Sequence, residues 1–561
     1  MTKHTRIIDK EADSSGQKMS GKKTNLLLIC LLTLFNLYVY VSHFKNLAVF
    51  VYSDSANYAV LARRYAEFNF DRAIHAWWLP FYPFLGGIAY HFTQNAEQAL
   101  LYVSILSGVL IVIPVFLLMY EVTRDRLISA AAGLLVSFNP SIVKHVSSLL
   151  VENLYTFMLT LSIYLAVITL KYEKYYLAAI LGISFGLAFL TRNEAIVFLF
   201  IYLLFGALLF VFKLIQQRKW SVFKDKLVKL ELLTLICFIL TLTPYYGLLS
   251  YKFGYIGLKT RDNAAKNSYN PVNFRFNNQT TYAQDVWSVD TPNFKSPFFS
   301  TAPKPRKFDV ELDDLINGSR IRFSIYMKYF RADFSQQFLL FVLFGYFASL
   351  IFFFWTDKKL IFLSLLPILG SFVIMPFLPG AERRYLLWIY PYFYIFLSLG
   401  IYIARKIAPH YVLKILIYLL FLIFLYKTLN TYIEVLPNVD AGSRAMYDST
   451  GYKEVGEYIK SLDVANPRIM SRREAISFYA GGETIFTPGQ HFSKKELYDY
   501  LKIWKVNYIV ANIENIGDSE GMMFLMRDEK LPGWVKPVKV FGEGKWRIIV
   551  YEFLNDVPFD K

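Results

Sequence analysis

The chain has 561 residues, 55% of them hydrophobic, and a formal charge of +17. A soluble domain is about 45–50% apolar. Here the excess comes in blocks long enough to cross roughly 30 Å of hydrocarbon, which excludes an ordinary soluble fold. The basic excess lies in short loops between those blocks, so it reads as a set of topology determinants and not as a nucleic-acid surface. Cys30 and Cys237 each lie inside an apolar block and form neither a disulfide framework nor a metal site.

Residues 1–24 read as a polar cytoplasmic tail ending in Gly21-Lys22-Lys23. The apolar run from Leu26 to Val41 follows without a small-residue cleavage site and reads as an uncleaved signal anchor. Residues 25–430 read as a transmembrane domain. Its candidate spans are 25–42, 98–120, 127–143, 147–170, 175–191, 195–213, 229–250, 336–356, 360–378, 385–404 and 411–428, about eleven helices. With Lys22 and Lys23 inside, alternate loops carry Arg124 and Arg126, Lys171 and Lys174, the cluster Lys213–Lys229, Lys358 and Lys359, and Arg405 and Lys406. The opposite loops hold fewer basic residues, which fits the positive-inside rule.

Three polar parts then face outward: 43–97, 251–335 and 440–561. The last alternates amphipathic stretches (Tyr452–Leu462, Lys494–Trp504) with strand-like runs (Ile469-Met470, Asn507–Ala511, Trp546–Phe553), which reads as a small α/β domain. In the first outer loop Tyr58, Leu61, Tyr65 and Phe68 recur at helical spacing, so an interfacial helix is expected, with a second, Pro-rich apolar stretch beyond it.

Candidate chemistry gathers on this outer side. Asp54 starts the loop helix, where a Ser-Asp-Ser run reads equally as an ordinary N-cap. His75 is more often a plain loop histidine than a catalytic one, and Trp77 and Trp78 fit an aromatic belt. Glu152 lies near a span end, where an ionisable group costs roughly 2.5–3.5 kcal/mol and calls for a cavity or a partner such as Lys144 or His145. Arg192, Glu194, Arg383, Arg384 and Tyr385 occupy two further loops, where snorkelling is the plain alternative. Acids and bases from four loops on one face suggest a site.

These motifs resemble the GT-C membrane glycosyltransferases, in particular the protein-mannosyltransferase-like and RgtA/B/C/D-like branch of glycosyltransferase family 39. The resemblance rests on Asp54-Ser55-Ala56-Asn57-Tyr58 with Ala62, on Trp77-Trp78-Leu79-Pro80-Phe81-Tyr82-Pro83, and on Glu152 with Leu154 and Tyr155. It rests also on Gly186–Glu194 and on Arg384-Tyr385 through Pro391. It spans roughly residues 25–400. Many relatives carry a second carboxylate after the first; Ser55 stands there and weakens the case for a divalent metal bridged by an Asp-Glu pair.

The resemblance implies an α-helical polytopic fold, a polyprenyl-phosphate sugar donor, a lipid, glycan or protein acceptor, and work on the extracytoplasmic face of a bacterial or archaeal cell membrane. A phosphate leaving group needs positive charge, for which Arg192, Arg383, Arg384 and Lys144 are candidates. The acceptor hydroxyl needs a base, with Asp54 first and Glu152 its rival. Tyr58, His75, Glu194 and Tyr385 are the remaining candidates for substrate binding. Other readings are an O-antigen ligase or polymerase-like enzyme, which uses a diphosphate donor, and a lipid or glycan transporter, which would place charges near mid-membrane.

Overall fold

The computed structural model describes residues 23–41, 54–75, 78–217, 226–253, 274–276, 279–281, 312–333, 336–356, 370, 382–420, 451–485, 493–512, 521–526, 531–544 and 547–559, with short pieces of 422–433 and positions 487 and 516. Among the described residues, five helices are long and apolar enough to cross a membrane: Lys23–Val41 (α1), Ala96–Thr123, Glu152–Tyr172, Lys226–Tyr251 and Arg384–Ile407. Shorter apolar helices cover Arg126–Ser137, Tyr175–Phe189, Ala195–Val211 and Phe338–Ala348. The expected span 360–378 lies outside the described residues except at position 370, and 411–428 lies partly outside.

The first loop folds into α2 (Asp54–Ala66), α3 (Phe70–Ala73) and α4 (Phe81–Thr93). The sequence suggests a helix lying on an interface, but α2 is enclosed from Ser55 to Ala62. Its alanines explain this. A Cβ at Gly86 would stand 2.9 Å from Ala62 Cβ, and one at Gly87 would stand 3.0 Å from the Ala62 carbonyl, so α4 packs against α2 almost backbone to backbone.

The next elements are α5 (Ala96–Leu110), α6 (Val112–Thr123), α7 (Arg126–Ser137), α8 (Pro140–Val146) and α9 (Glu152–Tyr172). The stretch read as one span over 127–143 is two helices. Asn139 accepts from Ile142 N as an N-cap and Pro140 takes the first helical turn, a pairing that starts a new helix. Beyond α8 the buried Leu149 sits at φ +52°, a left-handed turn that brings the chain round to Glu152 at the head of α9.

Helices α10 (Tyr175–Phe189), α11 (Ala195–Gln217) and α12 (Lys226–Phe253) follow. Gly182 and Gly186 form a small-xxx-small seam: a Cβ on Gly182 would meet Thr234 O at 2.3 Å, and one on Gly186 would meet Thr241 Cβ at 2.6 Å. Thr234 Oγ1 also donates to Ala178 O across the seam at 3.2 Å. Within the segment read as a polar loop over 251–335 lie a hairpin, β1 (Phe274–Phe276) with β2 (Gln279–Thr281), and a 22-residue helix α13 (Leu312–Asp333). Phe330 of α13 stacks near Tyr390 and Phe393. Helix α14 (Gln336–Thr356) crosses α15 (Tyr390–Ile407) where Gly345 meets Gly400.

The C-terminal domain is a five-stranded sheet in the order β4-β3-β5-β7-β6. Strand β3 (Arg468–Met470) runs parallel to β4 (Glu483–Ile485) and β5 (Tyr508–Ala511), while β7 (Ile548–Phe553) is antiparallel to β5 and to β6 (Val535–Phe541). Side chains alternate along β5 and β7: Ile509 and Tyr551 pack with Leu497 and Leu501 of α18 (Lys494–Ile503), whereas Val510 and Val550 pack with Val455 of α16 (Tyr452–Lys460) and Ile476 of α17 (Glu474–Ala480). Both faces of the sheet are therefore covered, as period-2 alternation of apolar residues on both faces requires.

The Gly182 seam can be tested. Gly182→Leu forces α10 off α12 and should destabilise the protein by about 1–3 kcal/mol, the range for overpacking. Gly247→Leu, where no atom lies within 4 Å of the added Cβ, should leave the thermal midpoint in detergent near wild type. Equal midpoints for the two variants would remove the seam from the account.

Candidate functional site

Four chain segments meet at one end of the bundle. Asp54 stands in the first turn of α2, Glu152 opens α9, Arg192 and Glu194 lie between α10 and α11, and Glu382, Arg384 and Tyr385 belong to a 3-10 turn leading into α15. Arg384 Nη1 donates to Asp54 Oδ2 at 3.0 Å; its Nε donates to Glu382 and lies 3.9 Å from Glu152 Oε1. Arg192 Nη1 donates to the same Glu152 oxygen at 3.1 Å, and its Nη2 donates to Glu194 Oε1 at 2.6 Å. Arg192 also lies over the rings of Tyr385 (4.9 Å) and Tyr155 (5.7 Å). Burial weighs against the Arg192 charge, but Glu194 and Glu152 outweigh it and hold the guanidinium above its ordinary range.

Exposure separates the two carboxylates proposed for chemistry. The Glu152 side chain is 4% exposed and Asp54 is 36% exposed, so of the two Asp54 is the one open to solvent. Glu152 Oε2 is buried and has no hydrogen-bond partner among the described residues, which leaves an acceptor for a bound hydroxyl. Arg192 pairs with Glu152; of the two nearer candidates, His145 has its Nδ1 engaged with Ser141 O at 2.7 Å, and the Lys144 side chain lies outside the described residues.

Tyr58 is buried beside the cluster, edge-on to Trp78 (5.0 Å) and Tyr82 (5.3 Å). His75 is engaged in folding the loop: its ring accepts from Trp78 N, and its carbonyl accepts from Tyr245 OH at 2.6 Å. The side chains of Lys144 and Arg383, and all of Trp77, lie outside the described residues. Among the described residues no group of three or more His, Cys, Asp or Glu is placed to hold a metal ion. The described ion pairs join four carboxylates (Asp54, Glu152, Glu194, Glu382) to two guanidiniums.

The C-terminal domain adds a residue that no local pattern marks. Asn57 Nδ2 on α2 donates to Glu474 Oε1 on α17 at 2.9 Å, across 417 residues of chain. Nearby, Arg72 Nη2 pairs with Glu483 Oε1 at 2.6 Å, and Arg468 Nε holds the other Glu483 oxygen at 3.1 Å. Burial and the nearby Asp54 push the Glu474 carboxyl up, to about 7, against the pull of Asn57 and Arg473.

Comparison with known proteins bears on the fold. The family described as dolichyl-phosphate-mannose-protein mannosyltransferase matches residues 75–246, a stretch that includes Glu152, Arg192 and Glu194. The apo oligosaccharyltransferase of Archaeoglobus fulgidus has a TM-score of 0.53 at 13% identity, covering 87% of this chain and 70% of that one. The fold is GT-C. ArnT from Cupriavidus metallidurans bound to undecaprenyl phosphate aligns at 12% identity with a TM-score of 0.49, over 94% of this chain and 97% of that one. No curated protein sequence matches the chain. Within this GT-C frame, Asp54 and Arg384 fall outside the family-matched stretch and reach the site through the fold.

The raised Glu474 carboxyl has a pH consequence. Between its ordinary value of 4.5 and about 7 the folded protein holds a proton that the unfolded chain releases, so stability falls as pH rises through that window. Thermal midpoints at pH 5, 6 and 7 should show this fall in the wild type, and a smaller one in Glu474→Gln. Identical slopes in the two proteins would show that Glu474 titrates normally.

Proposed function

We propose that the protein is a membrane glycosyltransferase that moves a sugar from a polyprenyl-phosphate-linked donor to an acceptor hydroxyl on the extracytoplasmic face, inverting the anomeric centre. The acceptor is a lipid, a glycan or a protein. The N-terminus lies in the cytoplasm and the C-terminal domain outside. The observation that carries this reading is the Asp54–Arg384 pair at 3.0 Å, on a partly open loop helix of a GT-C fold. The donor class is supported by the description of the family matched over residues 75–246, whose name specifies a dolichyl-phosphate-linked mannose.

The step balances with the residues present. The Asp54 carboxylate takes the acceptor proton as the acceptor oxygen bonds to the anomeric carbon. The bond from that carbon to the phosphate oxygen breaks, and the polyprenyl phosphate leaves with the electron pair. Arg384 and Arg192 meet the charge that develops on the phosphate; a planar guanidinium fits two of its oxygens. No general acid is required, because phosphate is already a good leaving group. Arg384 holds Asp54 in the structure, so a donor phosphate that takes over Arg384 releases the base as it binds. Lys144 and Arg383 are further phosphate contacts, Glu152 Oε2 receives a substrate hydroxyl, and Tyr58, Glu194 and Tyr385 frame the substrate, while His75 holds the loop in shape.

Release of polyprenyl phosphate from a panel of polyprenyl-phosphate sugars, with membrane extract as the acceptor source, tests this reading. Asp54→Asn should slow release by about 10²–10⁴-fold, the usual worth of a general base, with the unfolding midpoint unchanged. Near-normal turnover would sink the assignment. Arg384→Ala should raise the apparent KM for donor by about 10-fold or more, as expected for a lost charge-assisted hydrogen bond, and leave the acceptor KM alone. An unchanged donor KM would remove Arg384 from the phosphate site.

A further inference from the structure

Asn57 lies one turn along α2 from Asp54, so the two side chains leave the helix on the same face. Asn57 is fully buried, and its amide is bonded to Glu474 of the C-terminal domain at 2.9 Å. Two further contacts join the same bodies: Arg72 of α3 to Glu483 of β4 at 2.6 Å, and the Tyr479 hydroxyl of α17 to the Glu97 carboxylate of α5. Arg64 Nη1 donates to Arg72 O at 3.2 Å, which ties α2 to α3 and hence to β4. The C-terminal domain thus meets α2 at Asn57, α3 at Arg72 and α5 at Glu97.

The contact at Asn57 matters most when the donor is bound. Arg384 holds the first turn of α2 through Asp54, and Glu474 holds it through Asn57. A donor phosphate competes for Arg384 and leaves Asp54 without that contact. We propose that Glu474 is a positioning residue for the transfer: through Asn57 it fixes the first turn of α2, so that Asp54 keeps its place once the phosphate has taken Arg384. This rests on the reading of Asp54 as the base. It gives the C-terminal domain a direct part in the reaction, although that domain contributes no group to the ion cluster among the described residues.

The full chain in lipid nanodiscs, with the donor panel and membrane extract used above, supplies the test. Glu474→Ala should speed amide exchange over Asp54–Ala66 by about tenfold or more, the effect of one lost buried hydrogen bond, with exchange in β5 and β7 unchanged. It should lower kcat by about tenfold with donor KM unchanged. Asn57→Ala should also lower kcat, and the double variant should cost less than the sum of the two single effects, because the Asn57–Glu474 bond is lost in each. Glu474→Gln, whose amide oxygen still accepts from Asn57, should return both readouts to within about threefold of wild type. Unchanged exchange and kcat in Glu474→Ala would overturn the proposal, as would a Glu474→Gln as impaired as Glu474→Ala. If Glu474→Ala loosens the sheet as well, Asn57→Ala decides: a lowered kcat with an intact sheet supports the proposal, and a normal kcat overturns it. If wild type transfers from no donor, the functional reading fails by itself, while the exchange comparison still decides whether Glu474 fixes α2.

Discussion

Two buried guanidiniums hold the site together. Arg384 reaches a carboxylate 330 residues earlier in the chain, and Arg192 binds the head of α9 from the next inter-helix loop. Charges withdrawn from water are tolerated only when paired, and removing one member leaves the others exposed to that cost. Glu152 meets that condition against Arg192, while Asp54 and Glu382 stay within reach of water, so the arginines join four segments without withdrawing every charge. Lysine could not replace either arginine here, since each arginine serves at least two carboxylates through different nitrogens.

Rigid packing below the cluster makes such pairing affordable. The Gly182–Gly186 seam and the Gly345–Gly400 crossing bring helices to backbone contact, and the left-handed turn at Leu149 aims α9 at the cluster. On α2, alanines at helical spacing let α4 close in, so the helix that carries Asp54 is walled by its own loop before the C-terminal domain covers it.

Much of this was legible in the residues, and the failures have physical causes. Apolar length is a local property, so the long spans could be read directly, as could the strands around Ile469, Ile509 and Val550. The site segments could be read because several motifs occur in order on one face. Pairing inside the site could not: for Glu152 the near neighbours Lys144 and His145 are natural candidates, yet a loop 40 residues on supplies the partner. Strand β6 escapes notice because it is an edge, with Lys536, Pro537 and Lys539 and a register shift between Pro537 and Lys539, features that guard an open edge and disguise a strand. Strand β4 is three residues long and holds Glu483, and Glu474 has no local signature at all, since its partner Asn57 lies in another domain.

The spans differ in what surrounds them. Most of the segment Arg384–Ile407 is enclosed by protein, with Ile407 exposed at its end, and most of Glu152–Tyr172 is too, whereas Lys23–Val41 turns most of its surface outward, with Leu26, Leu27, Leu31 and Leu34 exposed. A ribosome makes the chain in the opposite order, with the peripheral helix first and the central one close to last. Arg384, at the head of that central helix, is therefore the last made of the paired side chains: Asp54, Glu152, Arg192, Glu194 and Glu382 all precede it in the chain.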